Sequence, residues 1–147
     1  SRADDNLLTK EIKSDTVQVG DTLPELKKPV INKTQLALFA GASGDHNPIH
    51  LDDDRATAVG LPGVIVHGML NMAILGQLLT GWVDQLQVRR FSNRLAAMAY
   101  PGDQITCRGK VIDKKSENNE NLVELEIEAV NQKGDTLLAG NATIALA

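Results

Sequence analysis

The stretch Gly41-Ala42-Ser43-Gly44-Asp45-His46-Asn47-Pro48-Ile49-His50 gathers the residues best suited to chemistry. Asp45 and His50 flank a turn stiffened by glycine and proline, with Asn47 between them. A carboxylate and an imidazole held at fixed separation can bind one water, withdraw its proton and deliver a proton to a neighbouring atom. The imidazole suits that work because its ordinary pKa lies near neutrality. Asp and Asn are equally good turn stabilisers, so these residues alone leave a purely structural turn open. His46, between two turn formers, is expected to face solvent.

A second constellation follows at Gly60-Leu61-Pro62-Gly63-Val64-Ile65-Val66-His67-Gly68-Met69-Leu70. Gly68 would open a long helix, and the first N–H groups of a helix lack an internal acceptor while its dipole favours negative charge there. Gly68 N–H can therefore polarise a carbonyl oxygen and stabilise an enolate, as an oxyanion hole does. A glycine there also permits tight helix packing, and composition alone does not separate the two readings. His67 is read as a capping or packing residue outside the core site.

Other chemistries fit less well. His46, His50, Asp45 and Asp52 to Asp54 are metal-ligand types, but Pro48 separates the two histidines and forbids their sharing one helix face. The aspartates lack the alternating spacing and closing Glu of a calcium loop. No metal is expected. Gly41 and Gly44 match neither a dinucleotide fingerprint nor a phosphate loop. Ser43 and Cys107 lie in no nucleophile motif, and a strand cysteine is by default buried and inert. Arg89, Arg90, Arg94, Arg108 and Lys110 are read as solvated surface charges, with phosphate contacts unassigned.

Elements must hold these groups in place. Residues 1–25 are polar and read as an N-terminal arm; residues 26–147 form one domain. Lys27 to Ile31 suggests a first short strand. Thr34 caps a helix from Gln35 to about Ala42, with Leu36, Leu38, Phe39 and Ala40 as its apolar side. Asp52 to Asp54 form the acidic start of a short helix, Arg55 to Val59. The longest helix runs from about His67 to Val83. Segments near 86–99, 104–113, 122–131 and 136–146 alternate apolar and polar residues, most clearly from Leu122 to Glu128. Pro101-Gly102-Asp103, Ser116 to Asn121 and Lys133-Gly134-Asp135 read as hairpin turns. One uncharged helix followed by antiparallel strands is an α+β arrangement, with the sheet curled around the helix. A domain of this kind gains from pairing, so a dimer is expected.

Composition narrows the partners. The 147 residues carry 42% hydrophobic and 23% charged side chains, the balance of a globular domain. Aromatic residues make up 3% and the net charge is −4, which argues against a nucleic-acid partner. No charged residue falls between Arg55 and Asp84, but Pro62, Gly63, His67, Asn71 and Gln77 interrupt the run, so no membrane span is expected. Cys107 is alone and cannot form an internal disulfide; with no basic, apolar leader at the N-terminus, a cytoplasmic setting is expected.

Ser43 to His50, followed by Gly60 to Leu70, resembles the MaoC-like dehydratase and (R)-specific enoyl-CoA hydratase family, as does the spacing from Asp45 to Gly68. Pro101-Gly102-Asp103, opening a strand, is similar to that family's sheet region. The resemblance covers roughly residues 30–146 and is strongest at 38–75. It implies a single hot-dog fold, a long central helix wrapped by a curved antiparallel β-sheet. It implies catalysis by Asp45 and His50, with Asn47 positioning water or the carboxylate and Gly68 N–H holding the thioester carbonyl. The implied reaction is reversible syn hydration of a trans-2-enoyl thioester to the (R)-3-hydroxyacyl product. The substrate would be an acyl-CoA or acyl-carrier-protein thioester, with no cofactor. A hot-dog acyl-CoA thioesterase and a non-catalytic subunit of a hetero-oligomer are the alternatives. Asn71 falls near the mouth, where some relatives carry another small polar residue.

Overall fold

The computed structural model describes residues 11–147. Its elements in chain order are β1 (Leu26–Lys27), α1 (Lys33–Ser43), α2 (Asp53–Ala58), α3 (Gly68–Thr80), β2 (Val88–Leu95), β3 (Thr106–Glu117), β4 (Glu120–Val130) and β5 (Thr136–Leu146). Five antiparallel strands form one sheet in the order β1-β3-β4-β5-β2. The sheet curls around α3, which touches β2, β3, β4 and β5. This is the hot-dog arrangement of an α+β protein.

The sheet follows from alternation. On β4, Leu125, Ile127 and Ala129 are buried while Glu126 between them is exposed. Cys107, Val111, Leu138 and Ile144, each in register with a buried β4 residue, add to the same inner face. Against it lie Ile74, Leu75, Leu78 and Leu79 of α3. A helix buried on most of its circumference tolerates no charge, which explains the uncharged run in the sequence. Gly109 lets the packing close: a Cβ there would meet Leu78 Cδ2 at 3.4 Å. Among the described residues no helix is long and apolar enough to cross a membrane.

Several boundaries differ from the sequence reading. The cap of α1 is Asn32, whose side chain accepts from Gln35 N–H, so the helix begins before Thr34 and Thr34 lies inside it. Leu38 is exposed on α1, whereas Leu36 and Ala40 are buried and Phe39 packs partly against the core. The first strand pairs only at Leu26–Lys27, because Pro29 has no N–H to donate. Lys28 and Ile31 still donate to the Ile105 and Asp103 carbonyls at 2.9 Å each. Pro101-Gly102-Asp103 is a turn, with Gly102 at φ 97°, but it closes no hairpin. The strands flanking it, β2 and β3, sit at separate places in the sheet, β2 pairing with β5 and β3 with β4. The true hairpin turns are Asn118-Asn119, both at positive φ, and the loop holding Gly134. Of the residues read as an arm, 1–10 lie outside the described ones. Further along, Val17 and Leu23 are buried in the core, and Gly20 and Leu23 donate to the Val111 and Gly109 carbonyls of β3.

Candidate active site

Helix α1 ends at Gly44, which turns left-handed at φ 77° and releases the chain into the Asp45 turn. Asp45 N–H reaches Ser43 Oγ at 3.2 Å. Asp45 Oδ1 accepts from Asn47 N–H at 3.3 Å, and Asn47 Oδ1 accepts in turn from Ile49 N–H at 3.2 Å. Pro48–His50 then winds one tight helical turn. This chain of side-chain-to-backbone bonds fixes the spacing between Asp45 and His50, and Asn47 serves it as a turn cap.

His50 is buried, and its Nδ1 lies 2.7 Å from the Ile65 carbonyl oxygen. A carbonyl only accepts, so Nδ1 carries a proton and Nε2 is the nitrogen that can hold the ring's lone pair. That Nε2 stands 3.8 Å from Asp45 Oδ2, whose side chain is 48% exposed. The gap is too long for a direct hydrogen bond and suits one shared small molecule. A carboxylate Oδ2 and an Nε2 lone pair are both acceptors. A water with two O–H donors satisfies both at once.

The backbone that supplies the Ile65 carbonyl is itself anchored. Asp53, first residue of α2, accepts from Val64 N–H at 2.9 Å and pairs with Lys33 of α1. The Lys33 ammonium holds the Asp53 carboxyl below the usual range, with the Val64 bond adding to it. Ile65 N–H donates to the Ile49 carbonyl at 3.0 Å, and Val66 N–H to the Ala99 carbonyl at 2.8 Å. Residues 64–67 thus run between the His50 turn and the chain leaving β2, and deliver Gly68 to the start of α3.

His50, Ile65, Val66, Gly68, Asn71 and the stretch from Leu95 to Met98 line a mainly apolar cleft of about 370 Å³. As first residue of α3, Gly68 has an N–H without an intrahelical acceptor, and among the described residues no side chain caps that helix end. A Cβ at Gly68 would stand 2.8 Å from Leu95 Cδ1, so the glycine also permits close packing. Both properties read from the sequence are present. Asn71, one turn further, is buried, and among the described residues its Oδ1 has no partner. An unpaired buried acceptor costs about 1–3 kcal/mol. Asn71→Leu is therefore expected to raise Tm by about 2–4 °C per kcal/mol recovered, read by calorimetry. A fall in Tm would show that the amide is paired in solution.

His67 is the residue the sequence reading left out. It is fully buried, its ring stacks on His50 with centroids 3.9 Å apart, and Phe39 meets it edge-on at 4.9 Å. Its Nε2 lies 3.2 Å from the Asp45 carbonyl oxygen. Burial pulls its pKa below the ordinary 6.5, and the nearby His50 adds to that. One signal was available: a lone histidine inside an uncharged apolar run must be buried and must find a partner. Asp45, His50 and His67 bring one ligand-type atom each to within 4.8 Å of one another. His50 Nδ1 and His67 Nε2 are engaged by carbonyls, and each ring keeps its other nitrogen, His50 Nε2 and His67 Nδ1, as the atom with a lone pair to offer. His46 is exposed. Cys107 is buried away from the cleft, and burial pushes its thiol up to about 12, the state of an inert core cysteine.

The fold is the hot-dog class, and the comparisons agree. Residues 13–133 match the MaoC like domain, and the chain belongs to the MaoC-like dehydratase family. It is similar to the R-hydratase PhaJ1 of Pseudomonas aeruginosa, with a TM-score of 0.79 and 27% identity over 92% of this chain and 86% of that one. It is 35% identical to the enoyl-CoA hydratase ChsH3 of Mycobacterium tuberculosis over 56% of its length, and spans 30% of that protein. It is 37% identical to the fatty acid synthase subunit beta of Aspergillus oryzae over 49% of its length, and spans 4% of that much longer protein.

Proposed function

We propose that this protein catalyses the reversible syn hydration of trans-2-enoyl thioesters, giving (R)-3-hydroxyacyl thioesters of CoA or an acyl carrier protein. The observation that carries the reading is the pair of facing acceptors, Asp45 Oδ2 and His50 Nε2 at 3.8 Å, with His50 lining the same cleft as Gly68. Membership of the MaoC-like family and likeness to an R-hydratase and an enoyl-CoA hydratase support it.

The acyl chain enters the apolar cleft and its thioester carbonyl accepts from Gly68 N–H. The helix end draws electron density toward that oxygen and leaves C3 electrophilic. Water held by Asp45 and His50, with Asn47 keeping the carboxylate in place, adds its oxygen to C3. One water O–H bond and the C2=C3 π bond break, while the C3–O and C2–H bonds form. The proton taken from water by the pair is returned at C2, so both groups finish as they began. No metal or redox cofactor enters this chemistry. The reading takes the protein to act as a cytoplasmic homodimer, without nucleic-acid or membrane partners. The position of β2 at one end of the sheet, where its outer backbone edge can pair, supports association.

Absorbance of crotonyl-CoA and longer trans-2-enoyl-CoAs tests the reaction, followed by chiral analysis of the product and a free-thiol assay. Loss of the enoyl chromophore with an (R)-3-hydroxy product and no thiol is expected. Thiol release in place of hydration would make the protein a thioesterase. Absence of turnover with every CoA and carrier-protein thioester would remove the catalytic reading and favour a non-catalytic subunit.

A further inference from the structure

We infer that His67 is a positioning residue for the Asp45–His50 pair, holding both members through one neutral imidazole; this rests on the proposed hydration. Three contacts meet on its ring. The Asp45 carbonyl oxygen lies 3.2 Å from Nε2, so Nε2–H donates and ties the Asp45 backbone to the start of α3. The opposite demand comes from His50, whose ring lies parallel to within 21° at 3.9 Å. Phe39 of α1 then closes the stack at 4.9 Å and 65°. One side chain thereby fixes the backbone of the carboxylate and the ring plane of the imidazole, although the chain brings them from different elements.

The protonation state matters to this role. With the proton on Nε2, Nδ1 is a lone pair, and among the described residues it has no partner. A proton added there would put a cation in van der Waals contact with His50, the ring that must itself accept a proton during turnover. The groups facing His67 are His50 and the Asp45 carboxylate, and burial outweighs both the bond to the Asp45 carbonyl and the carboxylate, holding the ring's pKa below its ordinary value. A neutral neighbour places no like charge against the ring that takes the proton in the proposed reaction, whereas a charged one would.

A structural histidine and a positioning histidine differ in what they move. Small displacements of reacting groups, on the order of 1 Å, cost about 100-fold in rate. His67→Phe keeps an aromatic ring against His50 and Phe39 but removes the N–H to Asp45; His67→Gln keeps an N–H donor without the ring. The expected result for His67→Phe is a fall in kcat of about 10- to 100-fold with KM within about 3-fold, and a circular dichroism spectrum like the parent's. His67→Gln recovers part of kcat if its amide reaches the Asp45 carbonyl. Unchanged kcat in folded His67→Phe would overturn the inference, as would failure of both variants to fold, which makes His67 a core residue only. If the parent turns over no thioester, the hydratase reading fails separately. NMR titration of His50 then decides: an altered His50 titration in folded His67→Phe supports positioning, and an unaltered one overturns it.

Discussion

Asp45→Asn and His50→Asn are each expected to lower kcat/KM by about 100- to 10,000-fold, the range a positioned proton-transfer group contributes. That corresponds to about 2.7–5.4 kcal/mol of transition-state stabilisation. Both changes are chosen to spare the fold. An asparagine at 45 keeps an oxygen for Asn47 N–H, and its side chain there is half-exposed. An asparagine at 50 can still donate to the Ile65 carbonyl in place of Nδ1, while removing the Nε2 that faces Asp45. The double variant is expected to lose little more than the worse single one, because in the proposed reaction the two groups act on one water and their effects do not add. Michaelis kinetics on a trans-2-enoyl-CoA, with thermal melts beside them, check this. Additive losses would mean that the two groups serve separate steps.

The site was legible where chemistry and local chain geometry coincide. Asp45, Asn47 and His50 lie within one turn, and the hydrogen bonds that fix them run between near neighbours in sequence. Gly68 was legible because a helix start announces itself by composition. His67 was not, because its partners come from another part of the chain and no spacing rule links residue 67 to a carbonyl at 45. The cleft wall was hidden for the same reason. Residues 96–98, Ala-Ala-Met, read as a continuation of β2, yet the strand ends at Leu95 and the chain turns toward residues 64–67, with Val66 N–H bonding to the Ala99 carbonyl. The sheet order was likewise out of reach: neighbours β3, β4 and β5 follow one another through hairpins, but β2 attaches across β5. Non-local pairing of that kind depends on which edge remains free after the hairpins form, and local pattern carries no record of it.

Gly140→Ala is expected to destabilise the protein by about 3 kcal/mol or more, among the largest effects a single methyl can have. Gly140 of β5 faces Asn93 of β2, and a Cβ there would overlap the Ser92 carbonyl oxygen and stand 2.7 Å from Asn93 Cα. Those obstacles are backbone atoms, so no rotamer change relieves them; β2 must move away from β5. Gly41→Ala in α1 is the matched control, since a Cβ there meets none of the described residues within 4 Å and its φ is not in the left-handed range. It should gain about 0.5–1 kcal/mol from helix propensity. Urea melts of both variants give the stability difference. The consequence for function follows from the path of the chain: β2 runs directly into Leu95 and residues 96–98, which wall the cleft, and Leu95 covers Gly68. Gly140→Ala should therefore raise KM for long acyl chains even at temperatures where the variant is fully folded. A variant destabilised as expected but with unchanged KM across chain lengths would place acyl binding away from the wall that β2 supports.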